Sequence, residues 1–227
     1  MENDVFITGT SCYFPNAPVF NEYMEDYLGL ITGQHSRVKP IILKQNGIKQ
    51  RYYALTKEQK ITHTNAEMAV YSIVKLLEQS SIVDQDIELL SCATSSPDQM
   101  LPSHASMVHG LLKKKPLEIF SASGICLSCL QAFKVAYWGI LSGEKKNAIC
   151  STSELTSATL LSKNYDIEYE KCADLGVQPY MALEKDFLRF MLSDGASAVL
   201  LQNSPGTGKA LRIEWVEMVS YANELPT

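Results

Sequence analysis

The 227 residues carry 20 Lys and Arg against 25 Asp and Glu, a net charge of −5, with 46% apolar residues and 20% charged ones. A chain of this length buries a sizeable core and falls between one domain and two. No long basic run occurs, so the electrostatic footprint of a nucleic-acid binder is missing. The opening Met-Glu-Asn-Asp has no positive segment followed by an apolar one, and no run approaches about 18 uninterrupted apolar residues. A cytoplasmic protein without a membrane span is therefore expected. Six cysteines (Cys12, Cys92, Cys126, Cys129, Cys150, Cys172) are scattered through the chain, mostly in apolar surroundings, and read as reduced thiols rather than a disulfide framework.

In chain order, Val5 to Thr10 predicts a buried strand entering a Gly-Thr-Ser turn, and Asn21 offers a cap for a short helix to about Leu30. Residues 33–55 read as loop with short strands. Thr64-Asn-Ala-Glu67 has capping-box spacing, and Ala66, Ala69, Val70, Ile73, Leu76 and Leu77 behind it recur at helical period, predicting an amphipathic helix to about Gln79. Ile87 to Thr94 predicts a central strand, and Ser103 to Leu112 a helix ending in Lys113, Lys114 and Lys115. Those lysines complement the helix dipole, with a carrier-docking patch as the alternative. Leu117 to Phe120 predicts a strand and Cys126 to Leu141 a helix apolar nearly all round, hence buried. Asn147 to Ser153 predicts another strand, followed by a long mixed connection from Leu155 to Met181. The apolar runs Phe187 to Leu192 and Ala196 to Leu201 flank the turn signal Ser193-Asp194-Gly195, and Ala210 to Val219 predicts a last strand. Strands alternating with helices argue for a three-layer α/β domain around a largely parallel sheet.

The small-residue elbow Ser121-Ala122-Ser123-Gly124 between the 117–120 strand and its helix is the most suggestive stretch. A cysteine at such a helix start meets unpaired N–H groups and about half a positive charge, both of which favour a thiolate. Cys126 is thus a candidate nucleophile, while free cysteine also serves as a small buried hydrophobe. Cys126 and Cys129 form a C-x-x-C, but Ile125 precedes it and no second metal-ligand pair accompanies it, which disfavours both redox and zinc readings. None of His35, His63, His104 and His109 belongs to an H-E-x-x-H, and no phosphate-binding P-loop occurs.

Five ordered segments resemble the N-terminal half of β-ketoacyl-acyl carrier protein synthase III, a thiolase-superfamily condensing enzyme. They are Ile7-Thr-Gly-Thr-Ser-Cys-Tyr-Phe-Pro15, Asn46-Gly-Ile-Lys-Gln-Arg51, Cys92-Ala-Thr-Ser-Ser with Leu101-Pro-Ser103, Phe120 to Ala136, and Ser193-Asp-Gly-Ala-Ser-Ala-Val-Leu200. The resemblance implies a thiolase-like three-layer α/β/α fold with a mixed, mainly parallel five-stranded sheet. Residues 1–205 would form the N-terminal domain and 206–227 the start of a second. It puts Cys126, not Cys129, on the acylated cysteine of a decarboxylative Claisen condensation between an acyl-thioester and a malonyl- or β-ketoacyl-thioester. It places Leu101 and Leu192 on acyl-tunnel positions, Leu101 reaching in from a neighbouring subunit. Further implications are acyl carrier protein or coenzyme A thioesters as substrates with no other cofactor and no metal, and a homodimer paired through the strand near Asn147 to Ser153. The His, Asn and Gly-rich loop that complete the family's site belong to its C-terminal half, so an incomplete enzyme or a companion chain is expected. Gln45 and the lack of a nearby Trp depart from coenzyme A-primed members, and Leu127-Ser128-Cys129 departs from the usual Ala-Gly-Phe. A non-catalytic partner subunit and a Cys126/Cys129 redox protein are the alternatives.

Overall fold

The computed structural model describes residues 4–166, 186–221 and 223–224. Its centre is strand β4 (Leu89–Ala93), in which all five residues are buried. β4 pairs in parallel with β5 (Glu118–Ala122) on one side and β6 (Asn147–Glu154) on the other. The sheet continues antiparallel through β7 (Gly195–Gln202), β1 (Phe6–Tyr13) and the two-residue β8 (Leu211–Arg212), giving the order β5-β4-β6-β7-β1-β8. β5, β4, β6 and β1 run one way, β7 and β8 the other. The sheet is mixed, as expected, with six strands rather than five because β8 joins the edge beside Phe6 and Ile7.

Helices cover both faces, and the period-2 alternation of β4 shows how. Leu90 and Cys92 pack with Ala66, Ala69, Ile73 and Leu76 of α3 (Asn65–Gln79) and Ala105 and Val108 of α4 (His104–Leu112). Leu89 and Ala93 pack on the other face with Ala132, Ala136 and Ile140 of α5 (Ser128–Leu141). A strand clad on both faces reads as a continuous apolar run, which is why this stretch was legible as a central strand. A separate cluster, with Met24, Leu28, Tyr53, Leu160 and Phe190 at its heart, builds a smaller lobe beside the sheet. It contains α1 (Met24–Leu28), α2 (Lys39–Asn46) and the two-stranded ladder of β2 (Val19–Phe20) with β3 (Gln50–Arg51).

Helix α3 starts where its capping box predicts: the Thr64 hydroxyl accepts from Glu67 N at 3.2 Å and the Glu67 carboxylate accepts from Thr64 N at 2.8 Å. α4, expected from Ser103, begins at His104 with Ser103 as its cap, the serine side chain accepting from Ser106 N.

Other expectations are corrected. β1 continues to Tyr13 through the expected Gly-Thr-Ser turn, because a register shift between Ile7 and Gly9 absorbs the irregularity without ending the ladder. Asn21 caps no helix: its amide donates to Ile48 O and accepts from the buried Arg51, so a tertiary partner takes the side chain. α2 lies within the stretch expected to be loop; its apolar moment is weak, and it ends at Gly47 with φ 70°, a left-handed residue suited to glycine. α5 is not buried all round: Ala132, Ala136 and Ile140 are covered, while Leu130 and Trp138 are exposed. Residues 186–191 are helical, so Ser193-Asp194-Gly195 links a helix to β7 instead of joining two strands. Of the expected strand from Ala210 to Val219, only Leu211–Arg212 pair. β6 is flanked by β4 and β7 along its length and has no free edge, so it cannot pair across a two-fold axis. Part of the connection after Leu155 is described and includes a short 3-10 turn at Ser162–Asn164; Cys172 and the rest of that connection lie outside the described residues.

Thr64→Ala should lower unfolding free energy by about 1 kcal/mol in urea denaturation, and Thr64→Ser by much less, because the serine hydroxyl still accepts from Glu67 N.

Candidate active site

The C-terminal ends of parallel strands carry the ligand crevice in open α/β sheets, and here β4, β5 and β6 end together. β5 runs out at Ala122, the chain turns at Gly124, and Cys126 follows in the turn before α5. Gly124 has φ 139° with nothing within 4 Å of where a Cβ would sit, so conformation rather than space calls for glycine. Ser128 N donates to Gly124 O at 2.8 Å and Gln131 N to Leu127 O at 3.1 Å, winding the chain into helix just past the cysteine. Cys126 therefore stands at the mouth of a 14-residue helix instead of within it. It is exposed.

Cys126 opens onto a cleft of about 450 Å³. One wall is the elbow and first turn, with Ile125, Cys126, Ser128 and Cys129; the floor is Thr152, Ser153 and Glu154 from the end of β6 and Ala196 and Ser197 from β7. Cys12 from β1, Phe14 just beyond its end and the Ser193-Asp194-Gly195 link close the far side. Thr152 and Ser197 share a hydrogen bond of 2.9 Å across the floor.

Two carboxylates brace this cleft. Glu154 accepts from Ser95 N at 2.7 Å and from Ser96 Oγ at 2.5 Å, tying the β4–α4 loop to the end of β6. Asp194 accepts from Ala54 N at 2.7 Å, Ser157 N at 2.8 Å and the Ser157 hydroxyl, joining β7 to the smaller lobe. Burial pushes the Asp194 carboxyl above its ordinary range, and these hydrogen bonds oppose that shift. Asp98 accepts from Asn65 N and Ala66 N at 2.7 and 2.9 Å, placing a carboxylate on the N-terminus of α3.

The structure separates the five described cysteines. Cys92 and Cys150 are buried, and burial raises both thiols, Cys150 to about 12 with Cys129 as a lesser cause. Cys12, Cys126 and Cys129 are exposed and line the same cleft. Among the described residues no group of three or more His, Cys, Asp or Glu is arranged to hold a metal ion.

Leu101 lies on the β4–α4 loop with 84% of its surface exposed, outside the lining of the cleft. Leu192, 37% exposed, follows the 186–191 helix and precedes the cleft-lining Ser193. The structure thus sets Cys126 in the cleft, Leu192 at its margin and Leu101 on a neighbouring loop. Glu154 and Cys12 were not singled out from the sequence. Glu154 carried a usable signal, standing where a predicted strand meets its C-terminal loop; Cys12 carried none, since only the β1–β7–β6 register brings it opposite Ser197. The lysines at 113–115 precede β5 and so lie at the sheet edge opposite the cleft, which removes support for a carrier-docking patch there. His104 starts α4 buried, with Nε2 3.1 Å from Ser153 Oγ and Nδ1 without a partner, and burial lowers its pKa.

No family model matches the chain. Curated relatives do: it is 30% identical over 160 residues to β-ketoacyl-[acyl-carrier-protein] synthase III of Clostridium perfringens, covering 70% of this chain and 45% of the relative. It is 29% identical over 163 residues to the enzyme of the same name from Ehrlichia ruminantium, covering 72% and 43%. The chain spans less than half the length of these relatives. In fold it is similar to AbyA1, a tetronic acid condensing enzyme, with a TM-score of 0.69 at 18% identity over 90% of this chain and 55% of that one. It is also similar to 3-oxoacyl-[acyl-carrier-protein] synthase III from Aquifex aeolicus, with a TM-score of 0.65 at 23% identity over 88% and 54%. The chain is synthase III-like in sequence and thiolase-like in fold.

Because the folded-state pKa of His104 is lowered, its contribution to stability is whole above pH about 6.5 and is lost as pH falls below that value toward the folded-state pKa. Denaturation midpoints should drop between pH 7.5 and 5.5, and His104→Phe should flatten that part of the profile.

Proposed function

We propose that this synthase III-like chain carries the acyl-accepting half of a condensing enzyme, with Cys126 as the nucleophile. One observation carries the reading: of the described cysteines, Cys126 alone stands in the elbow between a parallel strand and the N-terminus of a long helix, exposed to a cleft. In this reading the Cys126 thiolate attacks the carbonyl of an acyl-thioester held by acyl carrier protein or coenzyme A. The carbonyl oxygen takes the negative charge, the carrier thiol leaves, and an acyl-Cys126 thioester remains. N–H groups at the start of α5 and its dipole would stabilise the developing oxyanion. An α-carbanion, formed from a malonyl-thioester by loss of carbon dioxide or from a β-ketoacyl-thioester by loss of an α-proton, then attacks the acyl carbonyl; the new C–C bond forms and the C–S bond to Cys126 breaks, returning its thiolate. That second step draws on a His and an Asn that the resemblance assigns to the half beyond the matched region, supplied by further residues or by a companion chain. Residues 206–227 would begin that half; Leu192 would line the acyl path and Leu101 would enter the site of a neighbouring copy. The reading calls for no cofactor besides the thioester substrates and suits a cytoplasmic setting. Among the described residues no helix is long and apolar enough to cross a membrane.

The homodimer belongs to the same proposal but needs another strand than β6. β5 ends the sheet, and Ile119 and Phe120 on it are each 36% exposed. A five-residue edge with exposed apolar side chains is a template for a second copy, which would extend the sheet through β5.

Incubation with acyl-coenzyme A and acyl-carrier thioesters, followed by intact mass and peptide mapping, should show one acyl group on Cys126. Cys126→Ala should abolish the adduct and Cys129→Ala should retain it; an adduct that survives Cys126→Ala sinks the reading. An unlabelled Cys126 favours the non-catalytic partner subunit. For the dimer, replacing Ile119 and Phe120 by Lys should halve the mass seen by light scattering, and an unchanged mass rejects β5 as the interface.

A further inference from the structure

The sulfur that acyl transfer requires has a second sulfur one turn away. Cys126 lies in the turn at 125–127 and Cys129 in the first turn of α5; both are exposed and both face the cleft. The hydrogen bonds Ser128 N to Gly124 O and Gln131 N to Leu127 O show that the chain is already helically wound across the pair. On such a turn residues three apart are neighbours, with about 5–6 Å between Cβ atoms. The Cys129 side chain folds back toward Cys126, its thiol 3.5 Å from the Cys126 carbonyl oxygen. A disulfide places Cβ atoms about 3.8 Å apart, so closure asks for a shift of about 1–2 Å. The shift falls in the turn before the helix, where Ile125 is 79% exposed and Leu127 makes no side-chain cap. Cys92 and Cys150 are buried in the two faces of the sheet and offer no comparable access.

We propose that Cys126 and Cys129 are a thiol-modification site: a hydroperoxide oxidises them to a reversible disulfide that withdraws the nucleophile. In the first step the Cys126 thiolate attacks a peroxide oxygen; an S–O bond forms, the O–O bond breaks, and hydroxide leaves to take a proton as water. In the second, the Cys129 sulfur attacks the Cys126 sulfenic acid; an S–S bond forms, the S–O bond breaks, and hydroxide leaves with the Cys129 proton as a second water. The peroxide is reduced by two electrons and the two thiols are oxidised by two. Cys129 thereby protects Cys126 from passing on to sulfinic acid, and a thiol reductant restores both. That the disulfide closes the protein to acylation rests on the acyl-Cys126 reading; its formation does not.

The test is peptide mapping of the full chain after hydrogen peroxide and alkylation with iodoacetamide. The peptide holding both cysteines should be two hydrogens lighter, alkylation of Cys126 should fall about tenfold or more, and dithiothreitol should restore both thiols. Cys12→Ser should change none of this. In Cys129→Ser, Cys126 should instead gain two or three oxygens that dithiothreitol does not remove. Retention of two alkylatable thiols in the wild type, bonding of Cys126 to Cys12, or irreversible oxidation of Cys126 with Cys129 in place overturns the proposal. Thioester labelling of reduced and oxidised samples separates it from the functional reading. If neither sample is acylated, the acyl reading fails while the disulfide stands; if the disulfide-bonded sample is acylated as well as the reduced one, the withdrawal of the nucleophile fails.

Discussion

Burial of β4 on both faces is the constraint from which the rest follows. A strand with no exposed residue and parallel partners on both edges leaves its hydrogen bonds nowhere to go but the sheet, and its side chains nowhere but into two helix layers. α3 and α4 must then cover one face and α5 the other. A parallel pair also requires crossovers, so β4, β5 and β6 end on the same side and every loop that follows them meets there. The cleft sits at that edge because the topology has placed three chain reversals around it.

Polar groups fix what burial leaves free. The segment after β6 packs Leu155, Leu160 and Leu161 into apolar clusters, and both it and the loop after β4 are further tied by carboxylates that accept backbone N–H groups: Glu154 for Ser95, Asp98 for the start of α3, Asp194 for Ala54 and Ser157. Hydrogen bonds to charged groups contribute about 1.5–3 kcal/mol each, more than neutral ones, and removing Asp194 would leave the buried donors Ala54 N and Ser157 N unpaired. Glu154 and Asp194 both line the cleft, so the groups that hold its walls also set its polarity.

The chemistry proposed for Cys126 and the oxidation proposed for the Cys126/Cys129 pair draw on one property. A sulfur exposed at a helix start, open to a carbonyl, is equally open to a peroxide. An exposed nucleophile with no second thiol beside it oxidises irreversibly; with Cys129 one turn on, the first oxidation product has an intramolecular exit. The C-x-x-C that Ile125 makes a poor match to a thioredoxin-type motif is, under these two proposals, a nucleophile and its guard.

By itself the sequence determined the elements whose signals are local: α3 was legible through its capping box and β4 through its apolar run. The small-residue elbow before an apolar helix put Cys126 forward as a candidate, and the family resemblance preferred it to Cys129. Only tertiary structure decided the rest. α2 has almost no apolar periodicity and is held by the lobe it packs into. Asn21 was spent on Arg51 instead of a cap, and 186–191 became helix although its apolar run also suits a strand. The position of β6 inside the sheet, which overturned its expected role at a two-fold axis, depends on the order in which strands pair, and no single strand's pattern encodes that. The cleft is the clearest case. Cys12, Cys126, Glu154 and Asp194 come from four separated stretches, and they meet because parallel strands end on one side and β7 returns between β6 and β1.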